Sequence, residues 1–290
     1  MDHTESPRSI SQGSISPGSI SPGSISPGSI IVGIDGSEAA INAARWAVPE
    51  ACALDVPLRL VYAVPPPQSD APPGETDLDT EYGETALRAA CAAVHATGQP
   101  VKIDTDLVIG PPARVLIDES RGAAMVCVGS VGIGRLARRV LGSTAEEVAR
   151  GARCPAAVIR TNRGAPTPDA GSIAVVVDES PDNDLVLQHG FREAALRAAP
   201  ILALGVWRWG FGEIPYSQLE HRLGRWVQEH PDVHVHPAAA RDGVAEFLSE
   251  TQEPVHLAVI GAADASKVAK MVGPLDPHFG HAGRSVLVVR

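Results

Sequence analysis

A glycine-rich loop between two short apolar runs carries the clearest chemistry in this sequence. The first run, Ala124 to Val128, is rich in valine and too short for a core helix, so it predicts a buried strand. Gly129, Gly132 and Gly134 follow it, and Gly142 stands at the far end of the loop. Glycine can take positive φ and lets a ligand approach the backbone closely, and successive N–H groups in such a turn form an anion site.

A second anion site is predicted where the loop ends. Ser143-x-x-Glu146 and Thr144-x-x-Glu147 both fit the capping-box pattern of a helix start. A helix start offers free N–H groups and the positive end of the helix dipole. Between the two predicted anion sites lie three arginines: Arg135, Arg138 and Arg139. Together these features predict that the loop binds a polyphosphate.

Two common phosphate-binding motifs fit this loop poorly. The P-loop needs a Gly-Lys pair, and the sequence contains none. The segment from Gly132 to Ala137 does match the GxGxxA dinucleotide fingerprint. That fingerprint belongs to the first strand–helix turn of its unit and expects an acidic residue about 20 positions later. Here the loop follows a late strand, and position 154 is a cysteine. The dinucleotide interpretation is therefore disfavoured.

The spacing that fits is Gly129-x2-Gly132-x9-Gly142-Ser143, which resembles the ATP-binding signature G-x2-G-x9-G-[ST] of the universal stress protein family. Residues 31–37 (Ile-Val-Gly-Ile-Asp-Gly-Ser) and the helix containing Ala44 to Ala47 resemble the opening of the same domain. The resemblance covers residues 29–161 well and residues 171–290 in outline.

The resemblance implies an α/β fold with two tandem Rossmann-like domains. Each would be a five-stranded parallel sheet of strand order 3-2-1-4-5, with helices on both faces and a ligand at the carboxyl ends of the first and fourth strands. The implied ligand is ATP, with or without Mg²⁺, bordered by Gly33 and Asp35, with Ala63 lining the adenine pocket. Asp35-Gly36-Ser37 equally fits a turn or a helix cap, so both roles of Asp35 stay open.

The complete candidate site combines the loop with these implied positions. Its members are Gly33, Asp35, Ala63, Gly129, Ser130, Val131, Gly132, Ile133, Gly134, Arg135, Gly142, Ser143 and Thr144.

Periodicity alone predicts alternating strands and helices in the first half, which is typical of a parallel α/β sheet. Pro49 is expected to kink or divide the first helix. The predicted elements are strands at 30–35, 58–64, 101–109, 124–128 and 156–159, helices at 38–54 and 79–97, a short helix after Gly110, and a long polar loop at 65–78.

The pattern then restarts, which predicts an internal duplication. Residues 173–180 echo residues 30–37, and Ser285 to Arg290 echoes Ala156 to Arg160. We predict domains at 29–161 and 171–290, a linker at 162–170, and pairing of the two domains through their last strands; a homodimer of whole chains is also open. Residues 1–28, with three Ser-Ile-Ser-Pro-Gly copies, predict a disordered tail, with an interaction role or an over-extended start as alternatives.

The second domain is predicted to bind ATP poorly. Asp264 replaces the second loop glycine and would repel a polyphosphate. Gly273-Pro274 replaces Gly-Ser, and Val176 stands where the first domain has Gly33. His234-x-His236 invites a metal interpretation, but no further ligand is evident, so no metal site is expected.

Composition narrows the function classes. A net charge of −10 disfavours nucleic-acid binding, and no run approaches the roughly 18 apolar residues of a membrane span. The four cysteines have no metal-ligand spacing, so reduced thiols in a cytoplasmic protein are expected. We expect an ATP-binding regulatory protein with an unknown protein partner and no efficient catalysis. A slow ATPase or autokinase using Ser143 or Thr144 is the alternative, and a nucleotide-free scaffold is the second alternative.

Overall fold

The computed structural model describes residues 28–66, 75–131, 141–160, 171–206, 216–240, 242–273 and 284–290. The strands are β1 (Ile30–Ile34), β2 (Leu58–Val64), β3 (Ile103–Ile109), β4 (Met125–Gly129), β5 (Ala156–Ile159), β6 (Ser172–Val177), β7 (Ile201–Gly205), β8 (Val235–Ala239), β9 (Val255–Gly261) and β10 (Ser285–Val289). The helices are α1 (Glu38–Leu54), α2 (Glu75–His95), α3 (Pro112–Glu119), α4 (Ser143–Gly151), α5 (Asn183–Arg197), α6 (Tyr216–Glu229), α7 (Val244–Glu250) and α8 (Val268–Val272), with 3₁₀ turns at Ser120–Gly122 and Ala262–Lys267.

The strands form one ten-stranded sheet in the order β3-β2-β1-β4-β5-β10-β9-β6-β7-β8. Each half therefore has the predicted order 3-2-1-4-5, and the two halves are tandem Rossmann-like units. Strands within each half are parallel, whereas β5 and β10 pair antiparallel, with Val158 opposite Val286. This junction is the pairing that the repeated terminal segments predicted.

Helices cover both faces of the sheet, so the central strands are apolar on both sides. Alternate residues of β1 show this: Ile30 and Val32 pack in one core layer, and Ile31 packs in the other. The first layer contains buried residues of α1, α2, α5 and α6, and the second contains buried residues of α3, α4, α7 and α8.

Helix α1 differs from its prediction at one residue. It runs unbroken from Glu38 to Leu54 with Pro49 inside it, so the proline does not divide the helix. Packing of its alanine-rich face, including Ala43 and Ala47 with 0% exposure, holds the helix together despite the missing N–H. Helix α2 begins at Glu75, four residues before its predicted start, and shortens the predicted loop accordingly.

A buried arginine ties together three elements of the first half. Arg59 on β2 has 1% side-chain exposure and forms ion pairs with Asp106 on β3 and Glu119 on α3. A buried guanidinium is tolerated because both carboxylates accept its hydrogen bonds.

Within the residues that the structure describes, no helix is both long enough and apolar enough to cross a membrane.

Candidate functional site

A cavity of about 430 Å³ lies where β1 and β4 end. These neighbouring strands send their following helices to opposite faces of the sheet, which opens a crevice between the chain segments that leave them. The cavity is lined by Gly33, Ile34, Asp35, Ser37, Ala40, Val61, Tyr62, Ala63, Pro65, Pro112, Leu116, Val128, Gly129, Val131, Gly142, Ser143, Thr144 and Ala145.

The structure brings together candidate residues from four separated segments. Gly33 and Asp35 come from the end of β1, and Ala63 comes from the end of β2. The remaining predicted residues in the lining come from the end of β4 and the start of α4: Gly129, Val131, Gly142, Ser143 and Thr144. The predicted residues Gly132, Ile133, Gly134 and Arg135 lie outside the described residues, as do Arg138 and Arg139.

Ser130 differs from its neighbours because it is buried, with 1% exposure, and does not line the cavity. Its N–H donates to the Ile159 carbonyl at 2.8 Å, and its own carbonyl accepts the Gly142 N–H at 2.8 Å. Ser130 therefore holds the beginning and the end of the glycine loop together instead of facing a ligand.

The two glycines at the strand ends serve close packing, which corrects part of the sequence interpretation. Neither Gly33 nor Gly129 has positive φ. A Cβ on Gly129 would lie 2.6 Å from the backbone carbon of Ala39, because α1 passes directly over the end of β4. A Cβ on Gly33 would lie 2.7 Å from Leu116 Cδ1. These glycines let α1 and α3 approach the strand ends and so define the walls of the cavity.

The capping-box prediction for α4 was wrong. Gly142, with φ −72° and ψ 151°, is the N-cap, and no side chain caps the helix. The Gly142 carbonyl accepts the Glu146 N–H at 3.0 Å, so the cap lies one residue before Ser143, the first of the two predicted caps. The bond from Gly142 to Ser130 fixes this start. Ser143 and Thr144 consequently occupy the first helical positions, where N–H groups lack intrahelical partners, and both line the cavity.

Asp35 has a structural role as well as a place in the cavity. Its Oδ1 accepts the Ser37 N–H at 2.9 Å across Gly36, which has φ of 82°. Ser37 Oγ then accepts the Ala40 N–H at 3.1 Å and caps α1. Asp35 is thus the turn residue that the Asp-Gly-Ser sequence allowed, whereas Ser37 is the helix cap.

Tyr62 is the most informative lining residue that the sequence analysis missed. Its ring meets Tyr82 of α2 edge-on, with ring centroids 6.2 Å apart, and Tyr82 Oη donates to the Asp35 carbonyl at 3.5 Å. Gly83 makes room for the ring, since a Cβ there would lie 2.6 Å from Tyr62 Cδ1. Burial raises the pKa of Tyr62, and the nearby Asp79, Tyr82 and Asp35 raise it further. Tyr62 directly precedes Ala63, which was predicted to line the pocket, and this position was the sequence signal for its role.

The lining has little charge of its own. Among its described residues, Asp35 is the only carboxylate, and no lysine, arginine or histidine contributes. Val61, Ala63 and Leu116 make one side apolar, whereas the start of α4 offers hydroxyl and N–H groups. Such a cavity suits a ligand with an apolar ring at one end and an anion at the other.

The equivalent region of the second half carries larger buried side chains among its described residues. Val176, at the position of Gly33, is 3% exposed, and the Asn183 amide donates to the Val176 carbonyl at 2.9 Å. After β9 the chain coils directly into the 3₁₀ turn and α8. The buried residues of this segment are Ala265, Val268, Met271 and Val272. Asp264 is paired with Lys267 at 2.9 Å.

The predicted histidine pair of the second half lies away from this region. His234 and His236 are exposed beside and on the edge strand β8.

Comparisons with known proteins agree with this architecture. The universal stress protein family matches residues 28–160. Universal stress protein Rv2624c of Mycobacterium tuberculosis (strain ATCC 25618 / H37Rv) is 49% identical over 261 residues, which cover 90% of this chain and 95% of the relative. Universal stress protein Rv3134c of the same strain is 40% identical over 270 residues, with coverage of 90% and 95%.

A solved structure extends the likeness of fold to both halves. The universal stress protein from Archaeoglobus fulgidus DSM 4304 covers 90% of this chain and 96% of its own length, with a TM-score of 0.68 and 15% identity. At that identity the match concerns the fold alone. The two mycobacterial relatives match nearly their whole length, and on that basis the chain belongs to the universal stress protein family.

Proposed function

We propose that the cavity at the ends of β1 and β4 binds one ATP molecule, and that the protein is a nucleotide-dependent regulator of stress responses. The observation that carries this proposal is the convergence of Gly33, Asp35, Ala63 and the residues around Gly129 and Gly142 on one cavity. Its volume of about 430 Å³ lies within the range usual for small-molecule sites.

The proposed orientation follows the polarity of the lining. The phosphates point to the start of α4, where the free N–H groups, the hydroxyls of Ser143 and Thr144 and the positive end of the helix dipole attract anions. The adenine lies towards the apolar side formed by Ala63, Val61 and Leu116. Mg²⁺, if it enters with the nucleotide, would find Asp35 as the carboxylate of the described lining.

Binding rather than efficient catalysis is favoured by the lack of a free general base among the described residues of the lining. Asp35 is the single carboxylate of the described lining, and its Oδ1 already accepts the Ser37 N–H. Phosphoryl transfer needs a residue that positions or deprotonates the acceptor. In this proposal bound ATP is therefore a signal that a protein partner reads.

A slow autokinase is the second candidate, because the hydroxyls of Ser143 and Thr144 line the phosphate end of the cavity. Incubation with γ-labelled ATP distinguishes the two functions. One phosphate transferred per chain, mapped to either residue, favours the autokinase. Absence of transfer with ATP still bound favours the regulator.

The direct test uses the full chain purified without added nucleotide. The protein is denatured and released small molecules are identified by mass spectrometry, followed by calorimetric titration with ATP. We expect one ATP per chain. Two per chain would contradict the predicted poor binding by the second half, and no binding at millimolar ATP would overturn the proposal in favour of a nucleotide-free scaffold.

Thr144→Asp tests the placement of the phosphates. A carboxylate at the second position of α4 favours the helix dipole but repels a phosphate, so folding stability is kept while ATP affinity falls at least about tenfold. Thr144→Asn has nearly the same shape without the charge and should bind within a few-fold of the wild type. Equal losses in both variants, or no loss in Thr144→Asp, would contradict this placement.

A further inference from the structure

Two buried glutamates meet where the two halves of the chain pack against each other through α1 and α5. Glu50 on α1 and Glu193 on α5 both have 0% exposure. Each stands fifteen residues beyond the aspartate that follows the first strand of its half, Asp35 or Asp178. The internal duplication has therefore placed the same acidic residue on both sides of the junction.

Two arginines of α5 bind both carboxyl groups. Arg197 donates from Nη2 to Glu50 at 2.8 Å and from Nε to Glu193 at 3.0 Å. Arg192 Nη2 lies 3.1 Å from Glu50 and 3.5 Å from Glu193. The Arg197 guanidinium also lies over the Trp46 ring of α1, 4.2 Å from its centroid. Because both arginines bind both carboxyl groups, the two glutamate side chains lie side by side, where one carboxyl group can hydrogen-bond the other.

A hydrogen bond between two carboxyl groups requires a proton, because an ionised carboxylate has only acceptor atoms. Two adjacent carboxylates shielded from water also resist being charged together. Burial, followed by the charge and hydrogen bond of Glu193, raises the pKa of Glu50 to about 8, although Arg197 and Arg192 act in the opposite direction.

Apart from Arg192 and Arg197, the titratable groups near the pair with shifted pKa values are neutral near pH 7. Burial, followed by Arg192, lowers the pKa of His189 on α5 to about 4. Burial and Arg197 lower the pKa of His256 on β9, and burial raises the pKa of Cys127 on β4 well above its usual value. Glu50 is thus the carboxyl group at this junction whose pKa lies just above neutrality.

We propose that Glu50 and Glu193 share one proton that holds α1 against α5, and that losing this proton at mildly alkaline pH loosens the junction between the two halves. Deprotonation replaces the carboxyl–carboxyl hydrogen bond with two adjacent anions. The two arginines then have to neutralise both charges without water, and the contact between the helices weakens.

The direction of the pH effect follows from linkage. Glu50 takes up a proton on folding because its pKa is raised, so its contribution to stability is complete below pH 4.5 and is lost as the pH rises to about 8. His189 acts oppositely, because its contribution is present above pH 6.5 and is lost as the pH falls to about 4. The interval from pH 6.5 to 8 therefore isolates the carboxyl pair.

The test compares urea unfolding of the full chain at pH 6.5 and pH 8 for the wild type, Glu50→Gln and the control Glu84→Gln. The Glu84 side chain is 40% exposed and pairs with Arg88 of the same helix, α2, so its removal changes net charge without touching the junction. Over this interval the unfolding equilibrium constant should rise roughly tenfold more in the wild type and Glu84→Gln than in Glu50→Gln. Equal pH dependence in wild type and Glu50→Gln would overturn the proposal.

A second measurement separates loosening of the junction from general destabilisation. Amide hydrogen exchange of α5, corrected for the intrinsic pH effect and normalised to α2 of the same chain, should accelerate at pH 8 in the wild type and not in Glu50→Gln. If Glu50→Gln does not fold, Glu193→Gln replaces it with the same expectation. Unchanged α5 protection in the wild type between the two pH values would refute the proposed loosening.

Discussion

The two halves of this chain share one strand order and differ at the carboxyl edge of the sheet. In the first half, the small residues Gly33 of β1 and Ala40 of α1 line the cavity at the ends of β1 and β4. In the second half the corresponding residues are Val176 and Asn183, and both are buried. The same backbone scaffold thus carries side chains of different volume at corresponding strand and helix ends.

The segment after the fourth strand differs as well. In the first half, 13 residues lie between the end of β4 and the start of α4, and the Ser130 carbonyl accepts the Gly142 N–H. In the second half, β9 leads at once into the 3₁₀ turn and α8, whose apolar side chains join the core.

The interiors differ in chemistry too. In the strand register, Arg59 of β2 lies opposite Ile31 of β1. Its counterpart in the second half is Leu202 of β7, which lies opposite Ala174 of β6. The first half fills this place with an arginine bound to Asp106 and Glu119, whereas the second fills it with an aliphatic side chain. This difference sets the largest effect that we predict.

Arg59→Ala should lower the free energy of unfolding by about 3–5 kcal/mol, because it leaves Asp106 and Glu119 as uncompensated acids around a void. Urea denaturation of the full chain measures the loss. The triple variant Arg59→Leu, Asp106→Ala, Glu119→Thr removes all three charged groups and places leucine where the second half has Leu202. It should recover most of the stability. A triple variant as unstable as Arg59→Ala would show that apolar and ionic cores are not interchangeable here.

Gly33→Val gives the first half the residue that the second half has at this position, Val176. The new side chain meets Leu116, so we expect a stability loss of about 1–3 kcal/mol and loss of detectable ATP binding. Calorimetric titration and urea unfolding measure the two effects. Adding Leu116→Ala relieves the contact and should restore stability without restoring affinity. Normal ATP affinity in Gly33→Val would show that the cavity is not the nucleotide site.

Ser37→Ala tests a smaller asymmetry at the start of the first helix of each half. Ser37 caps α1, so its removal should cost about 1 kcal/mol. Ser180, its counterpart, donates to Asp178 Oδ1 at 2.6 Å and caps no helix, so Ser180→Ala should change stability by less than about 0.5 kcal/mol. Thermal unfolding of both variants gives the comparison, and equal losses would contradict the different roles of these serines.

The sequence predicted the architecture well because the strands are short valine-rich runs at regular spacing, and the resemblance supplied their order. It also predicted which segments meet at the cavity. The start of α4 was mistaken because Ser143 and Thr144 both fit the capping pattern. A backbone hydrogen bond from the Gly142 N–H to the carbonyl of the distant Ser130 fixes where the helix starts, and no local sequence pattern reveals such a bond.

Other features were missed for a similar reason. Tyr62 contributes to the cavity because Gly83 on α2 lets its ring lie close to the sheet. Helix α8 spans only Val268–Val272, and such a short segment is helical because Met271 and Val272 are buried in the core. Glu50 and Glu193 are single acidic residues on two separate helices, so the sequence does not show that the fold brings them together.

The antiparallel contact between β5 and β10 has a consequence for how this protein can change over time. In an assembly of two identical chains, every substitution appears on both sides of the symmetry axis. Here the two sides belong to one polypeptide, so each can vary independently, and their high effective concentration keeps them paired however dilute the protein is. One side can therefore give up its own ligand and still be retained as the permanent companion of the other.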